Sequence, residues 1–195
     1  MDSVLHHARQ RRPERMTDPT VVAAAADFID ATLQKEGAWY RADDVGSRLG
    51  GLLGSYGSSV GAVRGTVRDA LRKFRTLEHD GVTLLASTLW SQPRPGVLPI
   101  YERRLAAVVL LQSRVNLLLP TDLTRIEGFL RSAHTDELAD PLLADVVVPL
   151  LRGLGQRDRQ RADVILARWR ADPAPGLPAA AAYLDRQLDK DAPPR

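Results

Sequence analysis

Apolar residues recur through most of the chain at intervals of three and four positions, a spacing that places them on one face of an α-helix. Nine such segments begin near positions 19, 43, 60, 81, 101, 120, 140, 160 and 177. The three valines at 146–148 are also compatible with a strand, but Pro149 and the helical spacing of nearby leucines favour a bent helix. We therefore predict an all-α protein.

Residues typical of helix ends mark several of these boundaries. Asp18 followed by Pro19 is typical of a helix start, because the carboxylate accepts from free amide groups and proline suits the first turn. Gly37 is a natural stop for that helix. The segment 50–61, rich in glycine and serine, predicts a loop, with Ser58 or Ser59 capping the helix that follows.

A weak period accompanies the helical pattern. The apolar ends of three predicted helices fall at Trp90, Leu130 and Trp169, which are 40 and 39 residues apart. A helix-pair repeat of roughly 40 residues is typical of HEAT-type arrays, in which each pair buries its apolar face against its neighbours. The sequence therefore predicts a HEAT-like α-solenoid of stacked antiparallel helix pairs, with a non-repeating helical bundle as the alternative.

Length and composition set the outer limits. The 195 residues suffice for one domain or a short repeat array, and 44% of them are hydrophobic, so a sizeable core can form. We expect a disordered basic arm over residues 1–17, a single helical domain over 18–188 and a frayed tail over 189–195. The chain has no cysteine and no apolar run long enough to span a bilayer, so we expect a cytoplasmic protein without a membrane partner.

The distribution of charge is more informative than the net charge of +3. Arg64, Arg68 and Arg72 are four residues apart on one predicted helix and share one face, which we call the arginine stripe. Guanidinium groups in a row bind phosphates through paired hydrogen bonds, so the stripe is a candidate DNA contact; an ordinary solvated face is the alternative. A second cluster is interrupted by acidic residues, and we hypothesise that it shares a concave face with the stripe: Arg152, Arg157, Arg159, Arg161, Arg168 and Arg170.

Two carboxylates stand near predicted helix starts. Glu102 begins a long apolar helix, where the helix dipole favours an anion, and we expect the following Arg103 and Arg104 to face outward as further phosphate contacts. Asp140 precedes Pro141 and is a good N-cap. The functional alternative for Asp140 is a carboxylate in a ligand cleft, where it stabilises developing positive charge or orients a water.

Signatures of other enzyme classes are missing from the sequence. It contains no phosphate-binding loop of the GK[ST] type and no dinucleotide-binding fingerprint. The histidines show no metal-ligand spacing beyond the adjacent pair His6 and His7. We therefore expect neither a metal nor an organic cofactor.

Four segments form a pattern when they are taken in order: residues 56–64 (YGSSVGAVR), 89–90 (LW), 101–107 (YERRLAA) and 138–142 (LADPL). Their order and spacing resemble the AlkD-like DNA alkylation repair proteins, which are HEAT-like repeat DNA glycosylases. The resemblance covers roughly residues 20–170. It is carried by the helix pattern more than by any single motif.

This resemblance implies a helical solenoid that grips duplex DNA on a concave basic face and releases N-alkylated purines. The alkylated base already carries positive charge and leaves easily, so the enzyme mainly stabilises the oxocarbenium-like sugar and a water. A family aspartate at the end of a Trp-Asp-x-x-Asp-like stretch has this role, and Asp140 is the residue that matches it. The implied partner is duplex DNA, with or without alkylated bases. The family need not draw the lesion into a pocket, unlike most enzymes that act on bases.

The chain also departs from the family pattern. The tryptophan expected four residues before the aspartate corresponds to Asp136, and the basic Trp-Leu-Arg-Arg-like string corresponds to residues 176–180, which contain no arginine. The family's last helix pair, which supplies another aromatic, has no counterpart. The scaffold is therefore kept better than the catalytic set. Two alternatives stay open: a catalytically silent DNA-binding member, and a protein-interaction scaffold.

Overall fold

In the structure, a computed structural model, residues 18–190 are described; the predicted arm over 1–17 and the end of the predicted tail lie outside them. Within this range the regular elements are helices, apart from one isolated bridge between Gly54 and Ile100, so the all-α prediction is confirmed. None of these helices is both long enough and apolar enough to cross a membrane. The helices are α1 (Pro19–Glu36), α2 (Trp39–Arg48), α3 (Val60–Lys73), α4 (His79–Trp90), α5 (Tyr101–Ser113), α6 (Leu123–Arg131), α7 (Asp136–Pro141), α8 (Val148–Gly153), α9 (Gln156–Arg170) and α10 (Gly176–Asp189), with 3-10 turns at Val115–Leu117 and Pro120–Asp122 and a π-helical segment at Leu142–Val147.

Three residues that were predicted at helix ends lie there, whereas α2, α7 and α9 each begin four residues earlier than predicted. Asp18 Oδ1 accepts from the amide of Thr20 at 2.9 Å, and Gly37 is the C-cap that follows Glu36, the last residue of α1. The Ser59 hydroxyl accepts from the amide of Ala62 at 3.1 Å, so Ser59 rather than Ser58 caps α3.

The helix that contains Asp140 begins earlier than predicted. The Thr135 hydroxyl accepts from the amide of Glu137 at 3.3 Å, so α7 begins at Asp136 and the predicted N-cap role of Asp140 is wrong. Pro141 does not end the helix, because the chain continues into the π-helical segment and α8. A proline has no amide hydrogen for the regular ladder, and the wider π turn follows directly after it. The valines at 146–148 are helical, so the strand alternative is excluded.

Helix α5 forms the centre of the core. Each residue from Tyr101 to Leu111 is buried. It packs mainly on α4 and α3, with further contacts to α1, α7 and the π-helical segment. A helix that is buried on all sides is typical of the interior of a packed helical domain.

Helices α4, α6 and α9 lie side by side. The indole of Trp90 stacks on Phe129 at 4.6 Å and donates to the hydroxyl of Ser132 at 3.0 Å, while the indole of Trp169 donates to Glu127 at 3.0 Å. The two hydrogen-bonded pairs are each 42 residues apart in sequence. At the other end of α4 and α6, the His79 ring contacts Asp122 at 2.8 Å, so these two helices run in the same direction.

Candidate functional site

The arginine stripe is exposed along α3. Val63 and Val67 are fully buried on the side of α3 that packs against α1 and α5. Residues four apart share one face of a helix, so the three arginines of the stripe lie together. This face is directed to solvent, since Arg64 is exposed and the side chains of Arg68 and Arg72 are 66% and 69% exposed. The three arginines therefore share one exposed face, which both the phosphate-contact interpretation and the solvated-face alternative require.

The positive charge of the stripe is weakly neutralised. Asp69 lies 3.9 Å from Arg68 and 3.6 Å from Arg72, and both pairs are exposed to water, where such pairs contribute little. Arg64 forms no ion pair with any residue between 18 and 190. These three guanidinium groups are available to an external anion.

The arginines of the second cluster are more fully paired with carboxylates than those of the stripe, and they lie on a different part of the fold. At least four of its six arginines form ion pairs with carboxylates of the protein, and α9 packs on α6 and α10 whereas α3 packs on α1 and α5. The cluster therefore has less free charge for a phosphate. The pairs are Arg159–Asp163, Arg161–Asp158, Arg168–Glu127 and Arg170–Asp185.

Arg103 and Arg104 do not face outward, and this expectation was wrong. They are only 6% and 4% exposed. Arg103 donates to Asp30 at 2.7 Å and to the carbonyl of Thr88 at 3.0 Å. Arg104 donates to the carbonyl of Trp90 at 3.0 Å and to that of Ser132.

The surroundings of Arg104 explain its burial. The N-terminal end of α5 meets the C-terminal ends of α4 and α6, whose last carbonyl groups attract a cation. Burial lowers the pKa of Arg104 to about 10. Its guanidinium joins helix ends inside the protein and, like that of Arg103, is not placed to meet DNA phosphates.

Glu102 is a buried anchor for a loop. Its carboxylate is fully buried and accepts four hydrogen bonds, from the Ser55 hydroxyl at 2.6 Å and from the amides of Tyr56, Gly57 and Ser58 at 3.0, 2.8 and 3.2 Å. The segment at 56–64 and the segment at 101–107 are therefore in direct contact. The carboxylate is part of the scaffold, and this loop contact goes beyond the helix-start charge that the sequence predicted.

Asp140 lines a cleft of about 760 Å³ between the end of α6, α7 and the first half of α10. Much of the cleft wall is formed by small or apolar side chains, among them Ala133, Leu143 and Ala180. The charged, imidazole and phenol side chains in the lining are Arg131, His134, Asp136, Asp140 and Tyr183. A mainly apolar cleft with a few polar groups is typical of a ligand site.

The acidic wall of the cleft consists of Asp136 and Asp140. They are four residues apart on α7, so they share a face, and both are exposed. Neither carboxylate has a hydrogen bond or an ion pair with residues 18–190. Two unneutralised carboxylates on one wall attract a cation.

Arg131 also lines the cleft, but its charge is engaged by carboxylates outside α7. It pairs with Asp172 and, at 3.0 Å, with Glu127. The hydrogen bonds to Asp172 and Glu127 raise the pKa of Arg131, because they favour its charged form. The carboxylates of α7 are therefore not neutralised by this arginine.

Tyr183 is the aromatic side chain of the cleft, and no motif in the sequence had indicated it. Neither Trp90 nor Trp169 is in the lining, since both are buried in the core, and Trp39 and Tyr40 are exposed on α2. Tyr183 follows Asp140 by 43 positions. The interval of roughly 40 residues was the sequence signal that could have pointed to it.

No group of three or more His, Cys, Asp or Glu residues within 18–190 is arranged to hold a metal ion. The chemistry available to the cleft is therefore that of two carboxylates, an imidazole and a phenol, facing an open space. Comparison of the chain with protein-family models, with curated proteins and with solved structures gives no match.

Proposed function

We propose that this protein binds duplex DNA and belongs to the DNA alkylation repair type, releasing N-alkylated purines by hydrolysis of the N-glycosidic bond. The observation that carries the proposal is the cleft at Asp140, an exposed carboxylate without a partner in the described chain; a second carboxylate and an aromatic ring line the same cleft. The AlkD-like resemblance assigns the sugar-stabilising role to this same residue.

The proposed scaffold is a HEAT-like array. Helices α4, α6 and α9 lie side by side through contacts between residues about 40 positions apart. Consecutive helices also pack as partners, with α4 on α5 and α9 on α10. Both features support stacked helix pairs of the kind that the weak period predicts.

In the proposed reaction the carbon–nitrogen bond to the sugar breaks, and its electron pair neutralises the cationic base. The sugar becomes oxocarbenium-like, and a water adds to it and gives up a proton to the solvent. Asp140 stabilises the positive charge of the sugar, and the second carboxylate, Asp136, adds to the negative potential. The ring of Tyr183 offers an electron-rich face to the cationic base. Because the base leaves as a neutral molecule, the mechanism needs no strong general acid.

The arginine stripe supplies the proposed grip on DNA. Its three exposed guanidinium groups recur at every fourth residue of α3 from Arg64 to Arg72 and face little opposing charge. Phosphate contacts of this kind position a protein on the duplex without reading its sequence. This is what a repair protein needs if it must search DNA of any sequence.

Excision is tested by release of free base from duplex DNA that contains 7-methylguanine. Asp140→Asn should lower the rate at least about 100-fold, in the range found when one electrostatic stabiliser is removed. Thermal stability and DNA affinity should stay near wild type, because the Asp140 side chain has no partner in the described fold. Asp43→Asn, an exposed carboxylate on α2, is the matched control and should behave as wild type.

Three outcomes of this experiment separate the alternatives. Equal release by wild type and Asp140→Asn would remove Asp140 from the mechanism. No release by a wild type that saturates the DNA would favour the catalytically silent DNA-binding member. Unfolding of Asp140→Asn would show that the residue has a structural role that its lack of contacts does not explain.

DNA binding is tested through its salt dependence. Replacing Arg68 and Arg72 together by Ala should weaken binding to all sequences alike and lower the salt slope by roughly two, since each phosphate contact contributes about 0.9. Arg159→Ala is the control, because Arg159 is already paired with Asp163 at 3.1 Å. A wild-type affinity that does not depend on salt would refute phosphate binding.

A protein-interaction scaffold is the second candidate, and one observation favours it. Trp39 and Tyr40 stand at the start of α2, 78% and 57% exposed, with their rings in edge contact at 6.0 Å. Exposed aromatic residues are enriched where proteins bind one another. Salt-independent behaviour in the DNA assay, together with loss of a protein partner in Trp39→Ala, would favour this candidate over DNA repair.

A further inference from the structure

We infer that His134 is a phosphate contact of the Asp140 cleft and holds the DNA strand beside the sugar from which the base leaves. This inference rests on the proposed function. It adds a DNA-binding residue that lies outside the arginine stripe.

The backbone of His134 has a conformation that is uncommon for residues other than glycine. Its φ of 62° makes it the one non-glycine residue with a positive φ between residues 18 and 190. It lies between α6 and α7, just before Thr135, which caps α7. Glycine or asparagine serves such a turn with less strain.

The fold itself makes no use of the imidazole. The His134 side chain is exposed, and it has no hydrogen bond or ion pair with the described residues. His134 thus combines an uncommon backbone conformation with a side chain that has no partner within the described protein, and it lines a ligand-sized cleft. Residues of this kind are often found at sites that bind a ligand.

The charges around the cleft show why a DNA phosphate that enters it requires a hydrogen-bond donor. Asp136 and Asp140 on α7 repel a DNA phosphate, and Tyr183 on α10 adds a phenol to the lining. Of the two basic side chains in the lining, Arg131 is engaged by Asp172 and Glu127. His134 is therefore the basic group left to meet the phosphate that must approach whenever a sugar lies beside Asp140.

The experiment compares affinities for a duplex that carries a stable abasic-site analogue and for the same duplex without it. His134→Gly removes the imidazole and relaxes the backbone, so it should weaken binding to the analogue duplex about tenfold while its unfolding temperature stays equal or rises. The factor of ten matches the loss of one hydrogen bond to a charged group. His134→Asn suits the same backbone conformation and keeps a hydrogen-bond donor. Its affinity for the analogue duplex should therefore lie between those of wild type and His134→Gly.

The outcomes separate this inference from the proposed function. Weaker binding by His134→Gly at undiminished stability supports the contact, since loss of a purely structural residue would lower stability. Equal binding of the analogue duplex by wild type, His134→Gly and His134→Asn overturns the inference and leaves the proposed function standing. A wild type that binds neither duplex overturns both. If His134→Gly loses stability, the comparison of His134→Asn with wild type decides the matter alone.

Discussion

Replacement of Glu102 by Gln should strongly destabilise the protein, although it only exchanges a carboxylate oxygen for an amide nitrogen. The carboxylate is fully buried, and its two oxygens accept four hydrogen bonds from the loop at 55–58. Oε1 accepts three of these bonds, and Oε2 accepts the amide of Tyr56. A glutamine offers only one acceptor oxygen, so its amide group must face at least one N–H donor.

The magnitude follows from the less costly orientation of the new amide. In this orientation the oxygen of the introduced glutamine replaces Oε1 and its NH2 group replaces Oε2. The hydrogen bond from the amide of Tyr56 is lost, because two N–H donors then face each other. The three remaining hydrogen bonds become weaker, because their acceptor is no longer charged. Hydrogen bonds to a charged group contribute about 1.5–3 kcal/mol each. We therefore expect a loss of about 3 kcal/mol in the free energy of unfolding. With a urea m-value of about 2 kcal/mol/M, the midpoint falls by about 1.5 M.

Urea unfolding measures the global effect, and amide hydrogen exchange locates it. Exchange should accelerate first at the amides of Tyr56, Gly57 and Ser58, since these lose their acceptor directly or keep a weaker one. Glu36→Gln is the matched control, because that carboxylate is exposed at the end of α1. A midpoint for Glu102→Gln within about 0.3 M of the Glu36→Gln value would refute the reasoning, since it would mean that the four bonds contribute little.

Two further outcomes are expected. Burial opposes the charge of His79, but hydrogen bonds to Asp122 and Asp80 outweigh it and raise the pKa of His79. The contribution of charged His79 to the free energy of unfolding is fully present below the pKa of about 6.5 that a histidine has in the unfolded chain. It is lost as the pH rises through the higher pKa of His79 in the folded protein. Urea midpoints between pH 6 and 9 should therefore fall more for wild type than for His79→Gln, and parallel curves would contradict this. Asp30→Asn leaves Arg103 buried without its carboxylate and should cost about 3 kcal/mol in urea unfolding, whereas an unchanged midpoint would show that the pair is dispensable.

Helix positions followed well from the sequence because their signals are local. Asp18, Gly37 and Ser59 each act within four residues of their own position, and the structure shows all three at helix ends. The start of α2 was placed too late, at 43 rather than Trp39. The first turn of α2 presents exposed aromatic side chains instead of the periodic apolar face on which the prediction depended.

The charged start of α5 was misjudged because its partners lie far away in the sequence. Glu102 binds a loop 44 to 47 residues upstream, and Arg103 pairs with Asp30, 73 residues away. A charged side chain is rarely buried unless it is paired, so a local pattern assigns it to the surface. Only the packing of α5 among α1, α3 and α4 brings these partners together.

The burial of Arg103 and Arg104 also changes which mutations can report on DNA binding. Removal of either side chain empties a packed site and frees internal acceptors, so a loss of affinity in such a variant would follow from unfolding as readily as from a lost phosphate contact. Arg68 and Arg72 on α3 lack this ambiguity, because each is mostly exposed and paired only loosely with Asp69. If Arg68 and Arg72 are replaced and both stability and DNA affinity stay unchanged, the arginine stripe is not the DNA contact. No substitution in α5 can give an equally clear result.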